Sequence, residues 1–265
     1  GKNNSQVMLT DVSLYSFQDT LQMSAPAYVA NSYIEGDVDF MWGTGPCFFQ
    51  DCAFKSLNSN DAFVVSRNPA TNHGFVYVNC AFDVAPGVTG AILGNNQNYG
   101  NSEVVLLNCA LAEKIDPVSW RGTGAAVHYW EFNSINIGDG KPADVSRRAP
   151  VSKRLDKDQD AQTIANYTNP TFVLANWTPA LSPIISHQPE DCSAGVGQMA
   201  TFQAAAVAVP AAKYQWFKNG REIPGATDAT FRIMSPQVTD IGSYTLTASN
   251  PNGQATSAPA QLTVH

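Results

Sequence analysis

The sequence predicts an all-β protein made of a parallel β-helix followed by a small β-sandwich. Three observations predict it. An apolar strand that ends in Asn or Asp recurs throughout the first half of the chain. Residues 190–265 instead alternate apolar and polar side chains between turns at residues 218–220 and 250–253. Charged residues make up only 14% of the chain, a composition better suited to strands and turns than to surface helices.

The Asn/Asp repeat sets the size of each coil of the predicted β-helix. Its positions are Asp11, Asn31, Asp51, Asn79, Asn108 and Asn133, which gives steps of 20, 20, 28, 29 and 25 residues. Such steps are typical of a solenoid whose strands are constant while the loops on one side lengthen. We expect these polar residues to stack where the backbone turns, in a right-handed parallel β-helix.

The cysteines follow the same repeat. Cys52, Cys80 and Cys109 occupy equivalent positions, so they are predicted to stack inside the coils as small apolar residues rather than to bind metal or act in catalysis. The five cysteines have neither paired zinc spacing nor the even number of a closed disulfide framework. No metal site is expected.

Charge and hydropathy exclude two classes of partner. The formal net charge is −7 and basic residues form no run longer than a pair, which argues against a nucleic-acid partner. No segment approaches the ~18 consecutive apolar residues of a membrane span. Residues 1–4 do not resemble a secretion signal, so we expect any signal to have been removed or to lie upstream.

Chemistry is expected in residues 33–43, which contain Glu35, Asp37 and Asp39 among apolar and glycine residues. In an extended strand Asp39 would share a face with Asp37, and a carboxylate on such a rigid strand could act as a nucleophile or an acid/base group. The alternative is an aspartate at a strand end that bonds a neighbouring loop. A second carboxylate at Asp19 favours the catalytic interpretation.

Two motifs make the prediction specific. Residues 17–21 read Phe-Gln-Asp-Thr-Leu and residues 33–40 read Tyr-Ile-Glu-Gly-Asp-Val-Asp-Phe. Together they resemble the pectin methylesterase (pectinesterase) family, whose signatures are Gln-Asp-Thr-Leu and Gly-x-Val-Asp-Phe-x-Phe-Gly, with Trp42 here in place of the second Phe. The resemblance covers about residues 5–180. It implies a right-handed parallel β-helix that hydrolyses the methyl esters of pectin (polygalacturonate) without a metal or organic cofactor.

The resemblance also implies a role for each motif residue. Asp39 would be the nucleophile, Asp19 the acid that protonates departing methanol and then the base that activates water, and Gln18 a donor to the oxyanion. The spacing agrees with these roles, because residues one coil apart in a solenoid become neighbours at a strand separation of roughly 4.8 Å. Two carboxyls so close would have divergent pKa values, as one charged and one protonated role requires.

The sequence departs from the family at two places. The family has an Arg after Leu-Gly that holds the nucleophile, and Asn95 stands there in this chain. Arg67 or Arg121 could substitute, although each could equally be a surface arginine. The family's β-helix also normally begins well before its Gln-Asp-Thr segment, and its other oxyanion glutamine lies upstream of Gly1. We therefore expect N-terminal coils to be missing, or another chain or segment to cover the first coil.

Aromatic residues near the motifs are candidates for contacts with a polysaccharide. Trp42 and Phe40 flank Asp39, and Trp120 lies on a later coil. Stacking on sugar rings is the functional interpretation, and packing within the β-helix is the alternative. Together with Arg67 and Asn95, these three complete the predicted substrate-binding set.

The domain boundary is predicted between residues 183 and 184, giving a β-helix at 1–183 and a second domain at 184–265. Trp216 and the Asp240–Tyr244 segment resemble the strand-C tryptophan and the tyrosine corner of an immunoglobulin-like domain. Ala204 and Leu246 stand where that fold often has its bridging cysteines, so Cys192 is expected to be unpaired. No catalytic constellation is found in this domain.

The leading hypothesis is therefore a secreted or cell-surface, bacterial-type carbohydrate esterase that acts on pectin, with an immunoglobulin-like module that spaces or attaches it. One alternative is a degenerate, non-catalytic member that binds polysaccharide or serves as a scaffold, suggested by Asn95. The other is an esterase or thioesterase for a different substrate, because loops rather than the solenoid choose the ligand.

Overall fold

The computed structural model describes residues 5–97, 99–123, 126–195 and 197–265. It divides into two compact units, Gly1–Thr178 and Pro179–His265. The boundary lies at 178/179 rather than at the predicted 183/184. The predicted boundary falls inside the strand Leu181–His187, which pairs antiparallel with Ala205–Val209 of the second unit.

The first unit is a parallel β-helix in which each coil passes through three sheets in turn. The first sheet contains Val7–Thr10, Ala27–Ala30, Cys47–Gln50, Phe75–Val78, Asn101–Leu107, Ala126–Phe132 and Ser152–Arg154. The second contains Ser13–Tyr15, Tyr33–Gly36, Ala53–Ser56, Ala81–Val84, Ala110–Leu111 and Ile135–Asn136. The third contains Leu21–Met23, Met41–Gly43, Ala62–Ser66, Ile92–Asn95 and Trp120–Arg121. The β-helix prediction is confirmed.

The corner between the first and second sheets is the same in every coil. Two residues connect the strands there, and the first of them has a φ between 48° and 55°. These first residues are the six repeat positions, Asp11, Asn31, Asp51, Asn79, Asn108 and Asn133. Asn and Asp tolerate the left-handed region better than other residues with a Cβ. The predicted alignment of polar residues at a backbone turn is therefore confirmed.

The interior of the coils is apolar and ordered along the solenoid. Phe49 stacks on Tyr77 with ring centroids 4.6 Å apart. Cys52, Cys80 and Cys109 are buried, as predicted, and each thiol donates to a backbone carbonyl of the preceding coil. Burial raises the pKa of Cys109 to about 12, so its thiol stays protonated. The geometry supports a packing role for the three cysteines.

Two short helices, Ala161–Tyr167 and Pro170–Val173, follow the last coil of the first unit. Tyr167 anchors them, because its hydroxyl donates to Glu103 Oε2 at 2.8 Å. The buried Glu103 carboxylate also contacts His73 Nδ1 at 3.0 Å and His128 Nδ1 at 3.2 Å, and it accepts from the Gly74 N–H. Burial alone would raise the pKa of Glu103, but the hydrogen bonds from His128, His73 and Tyr167 and the charge of His73 lower it to about 2.

We expect the Glu103 carboxylate to stabilise the first unit in a way that is lost in acid. Because the pKa of Glu103 falls from its usual 4.5 to about 2 on folding, its contribution is complete above pH 4.5 and is lost as the pH falls towards 2. His128 has the opposite sign: its hydrogen bond to Glu103 raises its pKa, so its contribution is lost as the pH rises through that raised value. Urea unfolding at several pH values should show a steeper acid loss in the parent chain than in Glu103→Gln. The same dependence of stability on pH in the parent and in Glu103→Gln would contradict a stabilising role for the Glu103 carboxylate.

The second unit is an immunoglobulin-like sandwich with a short 3₁₀ helix at Val238–Asp240. Its strands are Leu181–His187, Cys192–Ala194, Ala200–Gln203, Ala205–Val209, Lys213–Lys218, Arg221–Glu222, Thr230–Ile233, Gly242–Asn250, Gly253–Thr256 and Ala260–Val264. Trp216 is fully buried, and the Tyr244 hydroxyl donates to the Asp240 carbonyl at 2.8 Å, the bond of a tyrosine corner. Ala204 and Leu246 are buried in the place of a disulfide, and Cys192 is a free thiol.

Candidate active site

The two candidate carboxyls lie opposite each other on neighbouring coils. Gln18 forms a parallel bridge with Val38, and Leu21 pairs in register with Met41. Asp19 therefore stands opposite Asp39, and its backbone N–H donates to the Val38 carbonyl at 3.4 Å. Adjacent strands place such residues roughly 4.8 Å apart. Asp19 is exposed and Asp39 half-buried, so both residues are accessible to solvent.

Neither carboxyl lies within a strand, which corrects the expectation for Asp39. Asp39 has a φ of 45° and Asp19 a φ of 53°, so both occupy left-handed turns between the second and third sheets. Asp39 comes two residues before the strand Met41–Gly43. The expected face shared with Asp37 and Met41 is absent because the left-handed turn interrupts strand alternation. Both carboxyls instead lie at a corner of the coil, where loops form the surroundings.

Gly36 joins the two motifs by allowing close contact between them. A Cβ on Gly36 would lie 2.2 Å from Phe40 Cβ and 2.6 Å from Thr20 Oγ1. Thr20 Oγ1 in turn donates to the Glu35 carbonyl at 3.1 Å. Only glycine therefore fits at position 36, between Thr20, which follows Asp19, and Phe40, which follows Asp39.

Gly36→Ala is therefore expected to destabilise the first unit by about 1–3 kcal/mol, because the added methyl group forces Phe40 and Thr20 apart. Urea unfolding followed by tryptophan fluorescence measures this change. Gly138→Ala is the matched control, since a Cβ there meets nothing within 4 Å. Equal unfolding midpoints for the two variants would show that the packing around Gly36 is not tight.

Asp39 is held by a glutamine. Gln97 Nε2 donates to Asp39 Oδ2 at 2.5 Å, and Gln97 Oε1 accepts from Arg67 Nη2 at 2.5 Å. The Asn95 side chain is engaged by Gln97 rather than by Asp39: its Oδ1 accepts from the Gln97 backbone N–H at 2.9 Å. Arg121 is engaged elsewhere, with Nη1 donating to the Asn60 carbonyl at 3.2 Å. Among the residues the structure describes, Asp39 has no ion pair with an arginine.

Arg67 lies between two aromatic rings. Its guanidinium carbon is 4.8 Å from the Trp42 ring centroid and 4.7 Å from that of Tyr99. This geometry is typical of cation–π contacts. Arg67 Nε and Trp42 Nε1 are buried without a hydrogen-bond partner in the described structure, as is Asp37 Oδ1. Unpaired buried polar atoms are costly, and those of Arg67 and Trp42 belong to side chains that contact each other near Asp39.

A further carboxyl, Asp61, lies within electrostatic range of Asp39 and Asp37. Burial raises the pKa of Asp61, and the negative charges of Asp39 and Asp37 raise it further. The hydrogen bond from the Ala62 backbone N–H lowers it, but by less. Asp61 Oδ1 accepts from the Ala62 N–H at 2.7 Å. The site thus contains more carboxyl groups than the two motif aspartates.

Two predicted substrate contacts are wrong. Phe40 is fully buried and packs against Phe63 inside the coils. Trp120 is 1% exposed, stacks on Tyr129, and donates its indole N–H to Glu131 Oε1 at 2.8 Å. Both side chains face the interior, so a polysaccharide on the surface cannot reach them. Trp42 is half-buried and remains a candidate contact.

Sequence reasoning missed Gln97, Tyr99 and Asp61 as members of the site. Gln97 and Tyr99 follow Asn95 closely in the loop after the strand Ile92–Asn95, so the unusual Asn95 is the sequence feature that indicates this loop. Asp61 directly precedes the strand Ala62–Ser66, which pairs with Met41–Gly43, the strand after Asp39. Among the described residues, no group of three or more His, Cys, Asp or Glu is arranged to bind a metal ion. None of the described helices has the length and apolar character needed to cross a bilayer.

Comparison with known families accounts for both units. The Pectinesterase family model matches residues 2–176, and an Immunoglobulin domain model matches residues 182–250. Solved structures of Titin M4 and of the Titin M3 domain each share 23% identity with this chain. They cover 33% and 32% of this chain and 100% and 98% of their own, with TM-scores of 0.30 and 0.29.

Relatives of this chain include pectinesterases of a plant, a fungus and a bacterium. "Probable pectinesterase 8" of Arabidopsis thaliana is 28% identical over 167 residues, which is 57% of this chain and 40% of the relative. "Probable pectinesterase A" of Aspergillus fumigatus is 31% identical over 149 residues, 53% of this chain and 45% of the relative. "Pectinesterase" of Ralstonia solanacearum is 26% identical over 177 residues, 51% and 45%. The chain spans less than half the length of each of these relatives.

Proposed function

Because this chain belongs to the pectinesterase family, we propose that it hydrolyses the methyl esters of pectin, with Asp39 as nucleophile and Asp19 as acid and base. The observation that supports this proposal most directly is the register that sets Asp19 opposite Asp39 on the next coil. Pectin is a cell-wall polymer too large to enter a cell, so the proposal includes secretion or display at the cell surface.

In the first step, an Asp39 carboxylate oxygen attacks the ester carbonyl carbon, and the carbonyl electrons move to its oxygen. The Gln18 amide donates a hydrogen bond to this oxyanion. When the tetrahedral intermediate collapses, the bond to the methoxy oxygen breaks and Asp19 supplies the proton that releases methanol. The product is an anhydride between Asp39 and the sugar carboxyl group.

In the second step, Asp19 is a carboxylate and removes a proton from water. The resulting hydroxide attacks the acyl carbon, the anhydride bond breaks, and Asp39 leaves as a carboxylate. Asp19 ends protonated and the sugar ends as a free acid, so one water is consumed for each methanol released. The half-buried Asp39 and the exposed Asp19 suit these roles, since only Asp19 must exchange protons with water.

Methanol release from methylated pectin by the parent chain tests the proposal, and Asp19→Asn tests the acid role within it. We expect kcat for methyl esters to fall by about 10²–10⁴-fold in Asp19→Asn. The loss should be much smaller with an aryl ester, whose leaving group departs without protonation. The same loss with both esters would contradict the role of Asp19 as an acid.

A second candidate function is a non-catalytic polysaccharide-binding or scaffold protein, favoured by Asn95 in the place of the family's arginine. This candidate predicts that the chain binds pectin without releasing methanol, and that Asn95→Arg does not restore release. Assays with other esters and with thioesters, run alongside, cover the case of a different substrate. Methanol release by the unmodified chain would exclude the non-catalytic candidate.

We also propose that another chain or segment covers the first coil. Its strands Val7–Thr10, Ser13–Tyr15 and Leu21–Met23 are each the last of their sheet in the described structure. Tyr15 and Phe17 beside them are 66% and 76% exposed. Unpaired strand edges with exposed aromatic residues favour the addition of further strands. The immunoglobulin-like unit is proposed to space or attach the β-helix.

A further inference from the structure

We propose that Gln97 is a positioning residue that connects Arg67 to the nucleophile, in a hydrogen-bonded chain we call the Arg67–Gln97–Asp39 relay. This inference rests on the proposed function, because it assigns Gln97 a part in the step in which Asp39 attacks. The relay replaces a direct arginine–carboxylate contact with an arginine that acts through an amide. It accounts for Asn95 without requiring loss of activity.

The chemistry of the three groups allows only one arrangement. A guanidinium can only donate hydrogen bonds and a carboxylate can only accept them. The amide between them must therefore turn its oxygen to Arg67 and its nitrogen to Asp39, which is the arrangement found, with both contacts at 2.5 Å. Each bond has one charged partner, and such bonds are about twice as strong as neutral ones. Gln97 binds Asp39 through Oδ2, and no residue in the described part of the chain bonds Oδ1, which is therefore the oxygen proposed to attack.

Both ends of the relay are fixed by neighbouring groups. The Arg67 guanidinium lies between Trp42 and Tyr99, and the Arg67 backbone N–H donates to the Gly43 carbonyl at 2.9 Å. Packing between two rings limits the rotamers that Arg67 can adopt. The arginine is therefore placed before a substrate arrives.

The backbone at Gln97 is unusual in a way that supports a functional role. Gln97 has a φ of 45°, a region that non-glycine residues other than Asn and Asp rarely adopt. The Asn95 side chain stabilises this conformation by accepting the Gln97 N–H at 2.9 Å. Strained backbone of this kind concentrates at functional sites, where the surrounding structure compensates for it. Asn95 thus supports the relay by shaping the loop that carries Gln97.

The test measures kcat and KM for methyl-ester hydrolysis in four variants of the full chain. Gln97→Glu keeps the shape and the bond to Arg67 but removes the donor to Asp39; Gln97→Leu removes both bonds. We expect each to lower kcat about 100-fold with KM nearly unchanged, because the nucleophile is then misplaced. Arg67→Met should lower kcat about tenfold, and Arg67→Met/Gln97→Leu should resemble Gln97→Leu alone, since coupled residues are non-additive.

Gln162→Leu is the control, because this glutamine is exposed on the helix Ala161–Tyr167 and its side chain donates to Asn166 Oδ1, outside the site. Its kcat should equal that of the parent. A parent chain that releases methanol through Asp39 while Gln97→Glu and Gln97→Leu keep kcat within about twofold would overturn the relay alone. Additive losses in the double variant would also overturn it. A parent chain with no hydrolysis would refute the proposed function, and the relay with it.

Discussion

Asp39→Asn is expected to slow methanol release by on the order of 10⁴-fold or more, the largest effect of any single substitution in the site. An amide oxygen is a far weaker nucleophile than a carboxylate oxygen, and the covalent step depends on that oxygen. The fold should be unaffected, because asparagine accepts the left-handed turn at this position as readily as aspartate does. Asn31, with a φ of 48°, already does so in this chain.

Asp11→Asn is the matched control for this prediction. Like Asp39, Asp11 is an aspartate in a left-handed turn, with a φ of 55°, but it is exposed and lies at the corner between the first and second sheets. The activity of Asp11→Asn should equal that of the parent chain. Methanol release by Asp39→Asn within about tenfold of the parent would remove Asp39 from the mechanism.

Arg148→Met is expected to destabilise the first unit by about 3–5 kcal/mol, the largest loss we predict for stability. Arg148 Nε donates to Glu131 Oε1 at 2.7 Å, and Nη2 donates to Glu131 Oε2 at 3.2 Å. The two side chains are only 9% and 4% exposed. Removing the arginine leaves a carboxylate without its counter-charge in the interior, where water cannot replace it.

Two further variants separate the buried charge from general loss of packing. Arg148→Met/Glu131→Gln should recover part of the stability, because no unpaired charge then remains inside. Lys141→Met removes the exposed ion pair with Asp139, whose side chains are 77% and 46% exposed, and should leave the unfolding midpoint unchanged. Urea unfolding compares all three variants with the parent. A midpoint for Arg148→Met close to that of Lys141→Met would contradict the prediction.

The sequence was most informative where one residue type favours a particular backbone conformation. The turns at the six Asn/Asp positions could be predicted because those residues favour turns and recur at coil spacing, and the structure shows that the turns are left-handed. The pairing of Asp19 with Asp39 followed from the same spacing, because parallel coils bring equivalent positions together. Both predictions rest on local preference and regular stacking.

The predictions that were wrong, and the contacts that were missed, depend on features outside that regularity. Phe40 and Trp120 were candidates for sugar contacts but face the interior, since each directly follows a residue in the left-handed region, Asp39 or Ser119, that redirects the backbone. The Gln97 contact with Asp39 spans 58 residues and depends on the path of one loop. No preference of Gln97 itself predicts a φ of 45°. Loop conformation set by several side chains at once cannot be derived from spacing alone.

The constant length of the corner between the first and second sheets limits where residues can be inserted into the chain. Two residues connect the strands there in all six coils, whereas the connections from third sheet to first range from Ser24–Pro26 to Arg67–Gly74. An insertion of one residue at the constant corner would exchange inward and outward side chains on the following strand. Insertions at the variable corner leave that alternation intact. The segments that carry Arg67 and Gln97 both begin at the variable corner, so new substrate contacts can be acquired there without repacking the core.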